Sequence, residues 1–160
     1  MDKAVHEEVK LEGFFRVNIV NPDGSIAGDS GWCKNRAPDQ GIRDYLCYAI
    51  MANGGSKVIS HIALGTGTEP GTGATALEGE VEVRKTVTTS LVASKTAQFT
   101  AQFASVDAFV TTTMTIKNIG LFDTSTQAGG IIMAGNTYAT STVATNQAVN
   151  ATYQIRFSTS

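Results

Sequence analysis

The chain has 160 residues, a length at which one domain can bury about 70% of its unfolded surface, so a core needs no metal or disulfide staple. A formal net charge of -2 with 16% charged residues supplies no basic stripe, which argues against nucleic acid as the main partner. Two cysteines, Cys33 and Cys47, are too few for a disulfide framework, no run of about 18 apolar residues suggests a membrane span, and the polar first residues lack a signal-peptide core.

Met1 to Lys10 is charged and has no apolar face, and reads as an extended N-terminal arm ordered by a neighbour's surface. The domain proper is then 11–160. Leu11 to Val20 alternates over Phe15, Val17 and Ile19, and Asn21-Pro22-Asp23-Gly24 predicts a hairpin turn with Ser25 to Asp29 returning. Trp32 follows, placed to plug one end of a core. Between Pro38 and Asn53, Ile42, Tyr45, Leu46, Ala49 and Ile50 recur at helical spacing, with Asp39 as the cap and Asn53-Gly54-Gly55 as a left-handed stop. A buried strand over Val58 to Leu64 runs into the loop Gly65 to Thr75. Alternation resumes at Val81, Val83 and Val87, at Ala97, Phe99, Ala101 and Phe103, and at Met114 and Ile116, shifting register before Ile119. Val149, Ala151, Tyr153, Ile155 and Phe157 give the cleanest strand.

Threonine is absent through residue 65 and dominant after it, while beyond Asp123 the only charge is Arg156. Such a strand surface is soluble without ions and cheap to desolvate, which suits lasting contact with another protein; it reads equally as a solvated sheet face that happens to use threonine. Some eight strands and one helix predict a mainly β fold, an antiparallel β-sandwich or barrel-like sheet with one packed helix. Parallel α/β architecture lacks its crossover helices.

Several constellations invite a chemical reading. The loop Gly65 to Gly73 is glycine-rich, but it lacks the lysine of a phosphate cradle and carries Glu69, so it reads as a mobile connection whose glycines permit positive φ. Cys33 with His61 has neither an orienting acid nor an oxyanion site nearby and reads as a buried thiol and a strand-edge histidine. Cys33, Cys47, His6 and His61 lack zinc-ligand spacing. Glu78, Glu80 and Glu82 fall at period 2 on one side of a strand, where calcium competes with a solvated face countered by Arg84 and Lys85. None of these gives a cofactor or a catalytic residue.

The order of an apolar strand, Leu64-Gly65-Thr66-Gly67, a Pro70 loop, Thr75-Ala76-Leu77-Glu78, sheet strands, Ile119-Gly120-Leu121-Phe122-Asp123, a Gly129-Gly130 turn and a last strand Tyr153 to Phe157 resembles small virion proteins of tailed bacteriophages. Tail-fibre and collar-type modules and small capsid-associated proteins are similar over residues 30 to 160. In such modules the position before Ile119 is often acidic; here it is Asn118. The resemblance implies a non-enzymatic structural protein, made in the host cytoplasm and carried on the virion. The leading expectation is a capsid decoration (cement) protein, a homo-oligomer, most simply a trimer, bound to the major capsid protein or other virion proteins. Met1, Val5, Val9 and Leu11 are its expected strap, Thr68, Glu69 and Pro70 its contact loop, and Trp32 the support of its base. A tail collar, adaptor or fibre-base component is the alternative. A carbohydrate-binding receptor module, stacking sugars on Tyr138, Tyr153, Phe122 and Trp32, is a second, although these aromatics fall in predicted core strands.

Overall fold

A computed structural model describes residues 8–159. Two antiparallel sheets face each other in a sandwich-like arrangement, with one helix of 12 residues. The six-stranded sheet orders β2 (Ile26–Asp29), β1 (Val9–Val20), β10 (Ala148–Thr159), β7 (Thr96–Phe103) and β6 (Thr88–Ala93), with β3 (Cys33–Lys34) also on β1. The four-stranded sheet orders β5 (Lys85–Thr86), β4 (His61–Gly65), β8 (Met114–Phe122) and β9 (Ala134–Val143). The chain passes between sheets after β3, β5, β7 and β9, so both sheets depend on every part of the sequence.

The alternation in β1 and β10 does what a period of two requires. Phe15, Val17 and Ile19 lie opposite Tyr153, Ala151 and Val149, and all six point into the core. The turn after β1 closes by Asn21 N–H to Ser25 O, with Gly24 at φ 85 supplying the left-handed residue. In β8 the register shifts between Ile116 and Asn118. This bulge rotates Ile119 and Leu121 onto the inner face that Ile116 occupies, and sends Asn118, Gly120 and Phe122 outward. Outward here is not solvent. Ala63, Leu77, Phe122 and Ile132 form a second apolar cluster on the far side of the four-stranded sheet.

Several local expectations change. β1 begins at Val9, inside the stretch read as an arm, because Val9 and Leu11 pair with Thr159 and Phe157; Met1 and Val5 lie outside the described residues. β4 starts only at His61, leaving Val58 exposed, and β5 is two residues long, so Val81, Val83 and Val87 do not form one strand. Glu78, Glu80 and Glu82 therefore share no strand face.

The helix α1 spans 39–50, and its middle, Ile42–Cys47, is π-helical. A π turn carries more than four residues, so it rotates the following side chains off the 3.6-residue stripe. Tyr45 is buried, while Ile42 and Ala49 are exposed and Ile50 is 86% exposed. Asp39 is its first residue and makes no cap; Pro38 holds the cap position. The left-handed residue at its end is Ala52, not Gly54 or Gly55. Gly41 sets the docking distance, because a Cβ there would fall 2.6 Å from the carbonyl oxygens of Ile132 and Met133.

Candidate functional site

The glycine-rich loop is an anchored structure. Gly65, Gly67, Gly71 and Gly73 all avoid positive φ. At Gly65 a Cβ would collide with the Asn118 side chain, and at Gly67 with the Glu78 backbone, so these two permit close approach and not an unusual conformation. Asn118, fully buried, donates Nδ2 to the carbonyls of Thr68 (3.1 Å) and Glu78 (2.9 Å). Thr68 N–H and hydroxyl both donate to the Glu78 carboxylate, whose pKa is lowered by those bonds. Glu69 pairs with Arg36 at 3.0 Å, and Pro70 is buried with its ring against Gly135.

Next to this loop lies a buried ion pair. Arg84 Nη2 reaches Glu80 Oε2 at 2.9 Å in a two-point contact, their side chains being 0% and 4% exposed. Nη1 donates to the Thr124 and Gly129 carbonyls at 3.0 Å each, and the guanidinium lies 3.7 Å from the centre of the Phe122 ring. Gln127 Nε2 donates to Glu80 O. Arg84 thus ties segment 78–84 to segment 123–130 and roofs the second apolar cluster. The guanidinium N–H groups are taken up by the Glu80 carboxylate and two backbone carbonyls, so the arrangement fixes loops.

Asp123 continues the network. Burial opposes its ionisation, but the Lys57 ammonium at 2.6 Å and the Ile131 N–H outweigh that and lower its pKa. Tyr45 donates to Ile131 O, and burial, then the Asp123 charge, raise its pKa. His61 lies between the hydroxyls of Ser60 (2.8 Å) and Thr86 (3.3 Å), and burial, then the Arg84 charge, lower its pKa. The Cys33 thiol, half-buried instead of buried, faces the carbonyls of Ser30 and Gly31, so Cys33 and His61 have different partners, and Cys47 is exposed.

The distinctive surface is at the end of the sandwich where β1 and β7 start and β10 ends. Two clefts, of about 380 and 290 Å³, open there and share Met133 and Ile155. The larger is lined by Leu11, Gly13, Asn35 and Ile42; the smaller, almost wholly apolar, by Tyr45, Leu46, Val58, Phe99 and Phe157. Around them apolar side chains stand in water: Val58 is 75% exposed, and Leu91, opposite the lining residue Ala97, is 72%. The six-stranded sheet runs past its partner sheet here, leaving its inner face only partly covered. Monomeric proteins seldom expose a large contiguous apolar patch.

The outer face of the six-stranded sheet is uncharged across β6, β7 and the middle of β10. Cross-strand rows Thr152–Thr100–Thr88 and Gln154–Gln98–Ser90 run over it, with Gln154 donating to Gln98 at 2.9 Å and Gln102 to Asn150 at 3.1 Å. Charge gathers at the β1 side, where Arg16 pairs with Asp29, lowering that carboxyl to about 2, and Arg156 stacks on Phe14.

No protein-family model, curated protein or solved structure matches the chain. The geometry must therefore be read alone. Of the residues read as contacts, Val9 is 67% exposed at the open end, Leu11 lines its larger cleft, and Trp32 is half exposed between β2 and β3. Thr68 and Glu69 lie elsewhere, on the anchored loop, and Pro70 is buried and presents no surface. Tyr138, Tyr153 and Phe122 are buried as well, so among the aromatics expected to stack on sugars only Trp32 reaches solvent. The sequence marks the open end only by an adjacent apolar pair, Leu91-Val92, inside the uncharged stretch 86–94.

Proposed function

We propose that this chain is a structural attachment protein whose open apolar end docks on a larger assembly, and specifically a decoration (cement) protein of a tailed-phage capsid. The observation that carries the docking reading is the 290 Å³ apolar cleft whose lining residues Val58 and Phe157 stand exposed. Leaving that surface in water costs free energy at about 25 cal/mol per Å² of apolar surface, and a complementary partner removes it. The capsid assignment rests on the sequence resemblance. A tail location follows from the same resemblance and differs in copy number.

The mechanism is linkage. A protein that binds the assembled lattice and not free subunits stabilises the shell by its own binding free energy, about 2.7 kcal/mol per site when its free concentration is about 100 times Kd. Bridging adjacent subunits multiplies that effect.

The test uses capsids of the phage carrying this gene, stripped of surface proteins. The intact chain should co-sediment at lattice-scale copy number, and the paired substitution Val58→Glu with Phe157→Glu should abolish binding while the far-ultraviolet spectrum stays unchanged. Binding at only a few copies per particle points to the tail instead. Absence of binding, or binding indifferent to both substitutions, refutes the docking end. Deleting residues 1–7, which spares β1, separately tests the strap.

A further inference from the structure

We propose that two copies of this chain associate through β6, pairing edge to edge about a two-fold axis so that their six-stranded sheets become one. The inference stands independently of any virion, because it rests on the edge itself.

β6 is the last strand of its sheet, and each residue from Thr88 to Ala93 is exposed, with Leu91 at 72% and Val92 at 48%. An edge presents unpaired N–H and C=O groups to any extended chain, and folded proteins blunt it with charge, proline, brevity or bulges. The edges at β2, β3 and β5 are blunted. β2 has four residues, β3 two and β5 two; Asp29, Lys34 and Lys85 lie on them. The start of β9 is covered by the Arg36–Gly135 bridge and by Asn136 Nδ2 donating to Lys34 O. β6 has a single irregularity between Leu91 and Ala93, which leaves Thr88 to Leu91 regular.

Charge selects the occupant. In a two-fold antiparallel pair residue i of one copy faces residue j of the other and j faces i, with only the residue on the axis facing its own mate; with the axis at Ser90, an ionisable side chain at or beside that position lies close to its symmetry-related like charge. From Thr86 to Ser94 the sequence TVTTSLVAS contains none. The flanking lysines are engaged, Lys85 with Asp107 at 2.9 Å and Lys95 with the Thr159 hydroxyl at 3.1 Å. Two-fold pairing also keeps both inner faces on the same side. Leu91, which shares the inner face with Ala97 and Thr89, then covers the rim of its partner's 290 Å³ cleft, lined by Thr89 and Ala97. A second copy thus provides an extended, uncharged, β-branched strand with an apolar side chain for the exposed rim. A two-fold contact makes a dimer, which differs from the trimer the resemblance implies.

Sedimentation equilibrium of the full chain tests this. The intact protein should be dimeric, Ser90→Lys on the solvent face should raise the dimer Kd at least about tenfold by like-charge opposition, and Leu91→Lys should do so from the inner face. Ser125→Lys, in an exposed distant loop, should leave Kd unchanged. Thermal melting of Ser90→Lys held in its monomeric state shows that its fold is retained. With Cys33 and Cys47 changed to Ser, Ser90→Cys should form an intermolecular disulfide. A monomeric or trimeric intact chain, or a dimer whose Kd ignores Ser90→Lys, overturns the proposal.

Discussion

Replacing Arg84 by Met is the most demanding test of how the outer face of the four-stranded sheet is held. The methionine preserves much of the apolar stem over Phe122 but leaves the Glu80 carboxylate, 4% exposed, without its counter-ion. Removing one partner of a buried pair costs about 3–5 kcal/mol. The Thr124 and Gly129 carbonyls also lose their donor, at about 1–3 kcal/mol each where water cannot replace it. Partial relaxation offsets some of this, so about 4 kcal/mol is expected, a large share of the about 5–15 kcal/mol typical of a domain. In urea, with a slope of about 2 kcal/mol per M, the midpoint should fall by about 2 M, read by circular dichroism. Changing Glu80 to Met as well removes the stranded charge, and the double variant should recover about 2 kcal/mol relative to Arg84→Met. If the single variant loses less than about 1 kcal/mol, or the two changes are additive, the pair is not the clamp its geometry describes.

Gly41→Ala forces a methyl against two backbone carbonyls at 2.6 Å and should cost about 1–3 kcal/mol, whereas Gly71→Ala meets nothing within 4 Å and should be neutral or slightly stabilising; parallel urea melts compare them. Asn118→Asp turns an oxygen toward the Thr68 and Glu78 carbonyls where Nδ2 now donates, and should destabilise by about 2–3 kcal/mol in the same assay. His61 has a lowered folded pKa, so the unfolded state binds the proton first: its contribution is intact above about pH 6.5 and is lost as pH falls toward the folded value. The carboxyls of Asp29, Asp107 and Asp123 are also lowered; their contribution is complete above about pH 3.9 and declines on further acidification. Melting temperature should therefore fall in two limbs, and His61→Gln should flatten only the upper one.

The β scaffold was legible because strand alternation is a local signal that burial enforces. Val149 to Ile155 alternates in sequence and lies in the core, and even the register change before Ile119 is visible as two apolar residues arriving one position late. The helix was legible in place but not in facing. Periodicity assumes 3.6 residues per turn, and a π segment from Ile42 to Cys47 breaks that assumption without marking the sequence. Glycines were misread for a related reason. A glycine needed for left-handed φ and one needed because another backbone lies against it look alike in one dimension, and Gly65 and Gly67 are of the second kind, fitted to Asn118 and Glu78.

The acidic triplet shows the limit most clearly. Glu78, Glu80 and Glu82 share a spacing, yet Glu78 holds a loop through Thr68, Glu80 is buried against Arg84, and Glu82 is exposed. The fates of Glu78 and Glu80 are set by partners 4 to 48 residues away, chiefly Arg84, Thr68, Asn118 and the 127–128 turn. The same non-local logic governs the surface. Val58 and Phe157 each read as core residues because each is apolar in a predicted strand, Leu91 is an apolar residue of β6, and only the mismatch in extent between the two sheets leaves all three uncovered at one end. Core-type side chains at positions the second sheet does not reach are the surface that the proposed attachment would bury, and the physical content of that proposal is the removal of this apolar area from water.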